Sequence, residues 1–249
     1  MVRLLSRPRV AGRLLRVLWQ IVRGFWIIRR RFSRLEAAER QQHVQHWAAQ
    51  MLGALGIELR REGPPLASGP VLLVANHISW LDILVLHAAG YCRFISKADV
   101  RRWPLIGYMA HEAGTLFIER ESRRDAHRMV YFMAERLQAG DVLAVFPEGT
   151  TSDGVVLKPF HANLIQAAIL ADVPVQPVAL RFVDGSSGQI SHAPRFVDED
   201  TLVGSVLRTL AAQDVQAHVL IGPPEHHAGR DRRRWAQDLR EQVLNLRDG

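Results

Sequence analysis

Short unbroken apolar runs alternate with longer stretches of mixed polarity along most of this chain. The runs at 71–75, 91–95, 115–118 and 142–146 have the length of strands, as do 173–180 and 215–222. Helical patterns lie between them, to about 88 and then near 105–111, 123–138 and 161–171. A last one, about 230–247, puts Trp235, Leu239, Val243 and Leu246 on one face. An earlier helix, about 35–55, leads into Leu55-Gly56-Ile57 and the breaker Gly63-Pro64-Pro65. The alternation predicts the α/β class: a layered domain with a mostly parallel or mixed central sheet flanked by helices. Prolines at 174 and 177 should confine the 173–180 strand to a sheet edge or a strand start.

The N-terminal pattern is different. Over 14–28 the residues are apolar except for a stripe in which Arg13, Arg16, Gln20 and Arg23 recur at spacings of three, four and three. The longest stretch there without a charge or an amide is 24–28, and a spanning helix needs roughly 20 mostly apolar residues. With Trp19, Trp26 and the closing Arg29-Arg30-Arg31, the segment suits an amphipathic helix lying in the headgroup layer. A helix packed on the protein's own core and an arginine-rich targeting segment are the competing readings. The expected division is 1–34 as a basic membrane-associating segment and 35–249 as the main domain.

Charge supports that division. The chain carries +7, yet residues 1–35 hold ten arginines and no acid, so the rest has 22 basic against 25 acidic residues. A nucleic-acid binder concentrates positive charge on its folded domain, so no nucleic acid is expected. Cys92 is the single cysteine, which rules out an internal disulfide framework. No histidine or cysteine spacing suggests a metal site, and no cofactor is expected.

Four stretches carry candidate chemistry, three of them at strand ends. In Asn76-His77-Ile78-Ser79-Trp80-Leu81-Asp82 a histidine precedes a carboxylate by five residues. Asp82 can fix the His77 tautomer and support it as a base. Five helical residues separate side chains by about 140°, so the two meet only if His77 lies in the turn before the helix. Equally, Ser79 and Asp82 form a capping-box-like pattern that merely starts a helix. Arg120 follows the 115–118 strand, where it can hold a phosphate or simply face solvent. Phe146-Pro147-Glu148-Gly149-Thr150-Thr151-Ser152 holds a tight turn with hydroxyl and backbone donors for an anion, or an ordinary turn. Val173-Pro174-Val175-Gln176-Pro177-Val178 could line an acyl chain or pack in the core.

Taken in order and spacing, these stretches resemble the glycerolipid acyltransferase family, in particular bacterial 1-acylglycerol-3-phosphate acyltransferases. The family pattern is Asn-His-x4-Asp, Gly-x-x-Phe-Ile-x-Arg, Phe-Pro-Glu-Gly-Thr and Val-Pro-x-x-Pro-Val, and the resemblance covers roughly 47–182. One departure is Lys158-Pro159-Phe160-His161, where many members have Lys-x-Gly. The resemblance implies acyl transfer from acyl-carrier protein or acyl-CoA to the sn-2 hydroxyl of 1-acylglycerol-3-phosphate, giving phosphatidic acid. His77 and Asp82 would be catalytic. Arg120, Glu148, Gly149, Thr150 and Lys97 would bind the acceptor. A lyso-ornithine lipid or other lysolipid acceptor, a hydrolase, and a non-catalytic lipid-binding protein are the alternatives. The expected location is the cytoplasmic face of the inner membrane, monotopically held.

Overall fold

A computed structural model describes residues 8–118, 123–197 and 200–249. The chain opens with helix α1 (Pro8–Arg31), a 3-10 turn (Phe32–Arg34) and α2 (Ala37–Leu55). Strands β1 (Ile57–Glu62) and β2 (Val71–Ala75) follow, then α3 (Leu81–Ala89) and β3 (Arg93–Lys97). After α4 (Ala98–Arg101) and α5 (Ile106–Glu112) come β4 (Leu116–Ile118), α6 (Arg123–Gln138) and β5 (Val142–Val145). The chain closes with α7 (Ala162–Ala171), β6 (Val175–Asp184), α8 (Leu202–Ala211), β7 (Val215–Ile221) and α9 (Arg232–Asp248).

The seven strands form one sheet in the order β1-β7-β6-β2-β5-β3-β4. Only β6 and β7 pair antiparallel. Every residue of β2 and β5 is buried, as expected for central strands covered on both faces. Leu73, Ala75 and Ala144 face a core shared with α1, α2, α3 and α8. Leu72, Val74, Leu143 and Val145 face the opposite core, filled by α6, α7 and α9. Asn76 closes the end of β2 onto β6, donating to the Leu180 carbonyl at 2.9 Å and accepting from its N–H at 2.6 Å.

Two strand expectations change or narrow. β1 was not anticipated, because Glu58, Arg60, Arg61 and Glu62 give it no apolar run. It is an edge strand, where charged side chains are at home, and Ile57 alone is buried. The proline-bearing strand β6 was expected at an edge or with its prolines at a strand start; it lies inside the sheet, and the second form holds. Pro174 precedes it, and the ladder to β7 begins only at Val178. Pro177 lies just beyond the end of that ladder; its carbonyl accepts from Gly222 N–H at 2.9 Å, and the Gly222 carbonyl, which proline has no N–H to meet, accepts from Gln176 Nε2 at 3.0 Å.

Helix α1 packs on the domain through Val10, Val17, Gly24 and Ile28. Of the polar stripe, Arg13, Gln20 and Arg23 flank this face and are partly buried, while Arg16 is exposed. Arg13 donates to the carbonyls of Leu210 and Ala212 at the end of α8, a favoured place for a cation. Arg23 bonds Gln50, and Trp47 Nε1 donates to the Gln20 carbonyl at 2.9 Å. Gly24 allows this approach, since a Cβ there would stand 2.5 Å from Trp47 Nε1. The side turned outward carries Leu15, Leu18, Trp19, Val22 and Trp26, with Trp19 64% exposed, beside the exposed Arg16 and Arg29–Arg31. Phe25 meets Tyr108 edge-on at 5.6 Å, joining this face to the exposed Trp103, Leu105 and Ile106. Among the described residues, no helix is long and apolar enough to cross a membrane.

His87 of α3 is buried edge-on against Phe94, 5.0 Å between ring centroids, and burial lowers its pKa from 6.5 to about 4. The unfolded chain therefore takes up a proton that the fold refuses. Stability should be full above pH 6.5 and fall by up to about 3 kcal/mol as pH drops through that window. Urea midpoints measured against pH should show this decline in the parent protein and a flatter curve in His87→Leu.

Candidate active site

The stretch Asn76–Trp80 leaves the end of β2 as a loop, and helix α3 starts at Leu81. His77 thus lies before the helix and Asp82 in its first turn, the one placement that lets them meet. His77 Nδ1 is 2.7 Å from Asp82 Oδ2. The same oxygen accepts the backbone N–H groups of Ile78 at 2.6 Å and Ser79 at 2.9 Å. An oxygen already holding two N–H groups takes a third donor, so Nδ1 carries the proton and Nε2 keeps its lone pair. The helix-start reading holds only in part: the N-cap is Trp80, without a side-chain cap bond, but Ser79, one residue earlier, has its N–H on Asp82 and its Oγ accepting from Leu81 N–H at 3.3 Å. One carboxylate serves both purposes.

The loop after β5 braces His77 from the other side. Glu148 Oε1 accepts the His77 backbone N–H at 2.7 Å, and Oε2 accepts the Lys158 N–H at 2.9 Å. Ser152 donates to the His77 carbonyl from its N–H at 2.8 Å and its Oγ at 3.1 Å. The Phe146 ring lies flat against the imidazole, 4.0 Å between centroids and 7° from parallel, and Phe94 stacks behind it at 5.8 Å. Burial raises the Glu148 pKa, opposed by those two backbone N–H groups. The imidazole itself is 18% exposed while Asp82 is fully buried, so the ring sits at the boundary between core and outside.

The other expected site residues are dispersed. Gly149 and Thr150 are exposed on the turn after β5, with Gly149 at φ +74°. A Cβ at Gly149 would stand 3.0 Å from the His161 ring, so the turn and His161 are in contact. Lys97 is exposed at the end of β3. Arg120 lies outside the described residues. Glu148 was expected to bind acceptor, but both its oxygens are engaged by backbone N–H groups. The contacts of Ser152 with His77 and of Phe94 with Phe146, and the segment carrying Pro194 and Phe196, were not anticipated. Ser79 Oγ donates to the Pro194 carbonyl, and Phe196 N–H donates to that of Ile78 at 3.1 Å.

Residues 38–181, more than half of the chain, match the family model described as Acyltransferase. The chain belongs to the acyltransferase family. It is 37% identical over 248 residues to a lyso-ornithine lipid O-acyltransferase of Pseudomonas aeruginosa, covering 96% of this chain and 93% of that protein. It is 42% identical over 144 residues to a 1-acyl-sn-glycerol-3-phosphate acyltransferase of Neisseria gonorrhoeae, covering 58% and 56%. The fold is similar to the crystal structure of the 1-acyl-sn-glycerophosphate (LPA) acyltransferase PlsC from Thermotoga maritima. That likeness has a TM-score of 0.65 at 19% identity, covering 95% of this chain and 98% of that one.

In this acyltransferase the Lys158 side chain folds back on the turn, Nζ donating to the Thr151 carbonyl at 2.8 Å. The buried thiol of Cys92 has its pKa raised by desolvation and takes no part in the arrangement around His77. Glu148 is the brace whose loss is most informative. A glutamine there presents one acceptor and one N–H₂ group to two backbone donors, so one contact becomes repulsive. Displacement of a catalytic group by an ångström costs on the order of 10²-fold. Glu148→Gln should therefore lower kcat by about 10- to 100-fold and leave the acceptor KM nearly unchanged in a thiol-release assay. A raised KM with unchanged kcat would make Glu148 a binding residue instead.

Proposed function

We propose that this chain transfers a fatty acyl group from an acyl thioester to a lysolipid hydroxyl at a membrane surface. The observation that carries the reading is the His77–Asp82 pair, with Nε2 left as the free base. His77 Nε2 takes the proton from the acceptor hydroxyl, whose oxygen attacks the thioester carbonyl. The tetrahedral species collapses, the thiolate leaves, and the imidazolium returns the proton to it. Asp82 holds the tautomer and supports the transient imidazolium. No acyl-enzyme forms. Arg120, Thr150, the Gly149 backbone and Lys97 are proposed to hold the acceptor headgroup, and Glu148 to position His77.

Two acceptors suit the reading. 1-Acylglycerol-3-phosphate follows from the sequence motifs and the relative from Neisseria gonorrhoeae. Lyso-ornithine lipid is favoured by a specific observation, the similarity that runs along nearly the whole chain. Purified protein assayed with both acceptors, each donor type and detergent-dispersed lipid separates them by kcat/KM. His77→Ala should lose about 10²- to 10⁴-fold in kcat on the true acceptor. Asp82→Asn should lose much of the same activity with the fold intact. Near-normal turnover in His77→Ala would end the assignment.

The membrane part of the proposal assigns 1–34 to the bilayer surface, with α1 offering Leu15, Trp19, Val22 and Trp26 to lipid. A soluble thioester donor places that surface on the cytoplasmic side. Because Val10 and Val17 belong to the core, removing α1 would injure the domain as well as the anchor. The discriminating variant is Trp19→Glu/Trp26→Glu, which changes exposed positions only. It should lose flotation with phosphatidylethanolamine–phosphatidylglycerol vesicles and keep its melting temperature. Undiminished flotation would move the contact elsewhere.

A further inference from the structure

Helix α6 covers the sheet face opposite to α1, and its outer side belongs neither to the core nor to the proposed lipid surface. Its buried side is Met129, Val130, Met133, Ala134 and Leu137. Its exposed side is Arg124, His127, Arg128 and Tyr131, at spacings of three, one and three, continued one turn on by Glu135, so the cationic part of the stripe is confined to the first two turns. Tyr131 is 67% exposed and Phe132 beside it 37%. Arginine with exposed aromatic side chains is the composition of a protein interface. The stripe is not a by-product of overall charge, because the chain beyond residue 35 has 22 basic and 25 acidic residues.

Its position relates it to the reaction. β2, β5, β3 and β4 are parallel, so the end of β4 lies on the edge of the sheet from which His77 and Phe146 emerge. Helix α6 starts five residues after β4, and Arg124, His127 and Arg128 occupy its first two turns. β4 is three strand positions from β2, about 14 Å at ordinary strand spacing. A thioester on a long flexible arm crosses that gap, whereas one fixed to a rigid carrier does not.

Resting on the reading of the site as a thioester-dependent acyltransferase, we infer that the exposed face of α6 docks the acyl donor as a protein. The occupant is the acidic helical surface of an acyl-carrier protein, met by Arg124, Arg128 and His127 with Tyr131 packing beside them. A convex helix stripe complements another macromolecule's surface; the compact phosphates of coenzyme A need convergent cations in a cleft. A bilayer is disfavoured as the occupant because α1 and its apolar face lie across the sheet.

The test is Arg124→Glu/Arg128→Glu in the full chain, with Arg124→Lys/Arg128→Lys as the charge-preserving control. Acyl-carrier protein and coenzyme A thioesters of one chain length are compared with the same dispersed acceptor. Charge reversal should raise the KM for the carrier-protein donor about 10-fold or more, most strongly at low salt. Kinetics with the coenzyme A donor should stay within about twofold, and the lysine pair should retain most of the carrier-protein KM. Anisotropy of labelled acyl-carrier protein reads docking without turnover, and should show binding to the parent and the lysine pair but not to the reversal. The inference is overturned by an unchanged carrier-protein KM, by equal loss with both donors, by absence of carrier-protein binding to the parent, or by loss of vesicle flotation in its place. Absence of transfer from either donor to any lysolipid would instead remove the underlying acyltransferase reading, and the anisotropy would still decide the docking face.

Discussion

A single buried oxygen, Asp82 Oδ2, organises the candidate site. It receives Nδ1–H of His77 and the N–H groups of Ile78 and Ser79, all within 2.6–2.9 Å. Backbone donors buried without a partner are costly, so the loop leaving β2 must curl around this carboxylate to satisfy them. That curl carries His77 to the mouth of the sheet and decides which nitrogen faces outward. The loop's conformation and the tautomer therefore have one cause. It also explains why the helix-start and catalytic readings of Asn76–Asp82 are not alternatives.

Glu148 extends the constraint from one loop to two. Its carboxylate ties the His77 N–H, at the end of β2, to the Lys158 N–H, in the loop after β5. Desolvation alone would favour the neutral acid, but two N–H groups supply what water otherwise would. Phe146 stacks on the imidazole from the same loop, so ring orientation and backbone position are set together. His77 is held by contacts from both loops, whereas Gly149, Thr150 and Lys97 are exposed.

Legibility in the sequence followed the range of the interactions. β2, β5 and the helices between them were readable because their burial leaves an unbroken apolar run or a period of 3.6 residues. β1 was not, since an edge strand is permitted to be charged. Helix α8 also passed unassigned, though Ser205 and Arg208 within it hold the Pro194–Arg195 carbonyls near Ser79. The periodicity of α1 was plain, but its orientation was not, because the carbonyls that receive Arg13 lie almost two hundred residues away. His77 and Asp82 were legible as neighbours five residues apart. Glu148 was visible as a motif residue, yet its partner is 71 residues distant, and nothing local distinguishes a carboxylate for ligand from one for backbone.

The outer apolar side of α1 bears on how lipid and thioester donor are kept apart in the proposed reaction. A helix that shows Leu15, Leu18, Trp19, Val22 and Trp26 to solvent would be unfavourable on an isolated soluble domain. Here Arg13 and Arg23 hold it to α8 and α2 through polar contacts, which leaves the hydrophobic side free for a second environment. The central sheet then separates that side from the cationic face of α6, while the parallel strands bring the loops of both halves to one edge. A layered α/β domain has two faces and one shared strand-end edge, so a reaction between a membrane-bound acceptor and a protein-borne donor fits its geometry directly. On the proposed reading, each reactant approaches over a different face, and only the reacting groups meet at His77.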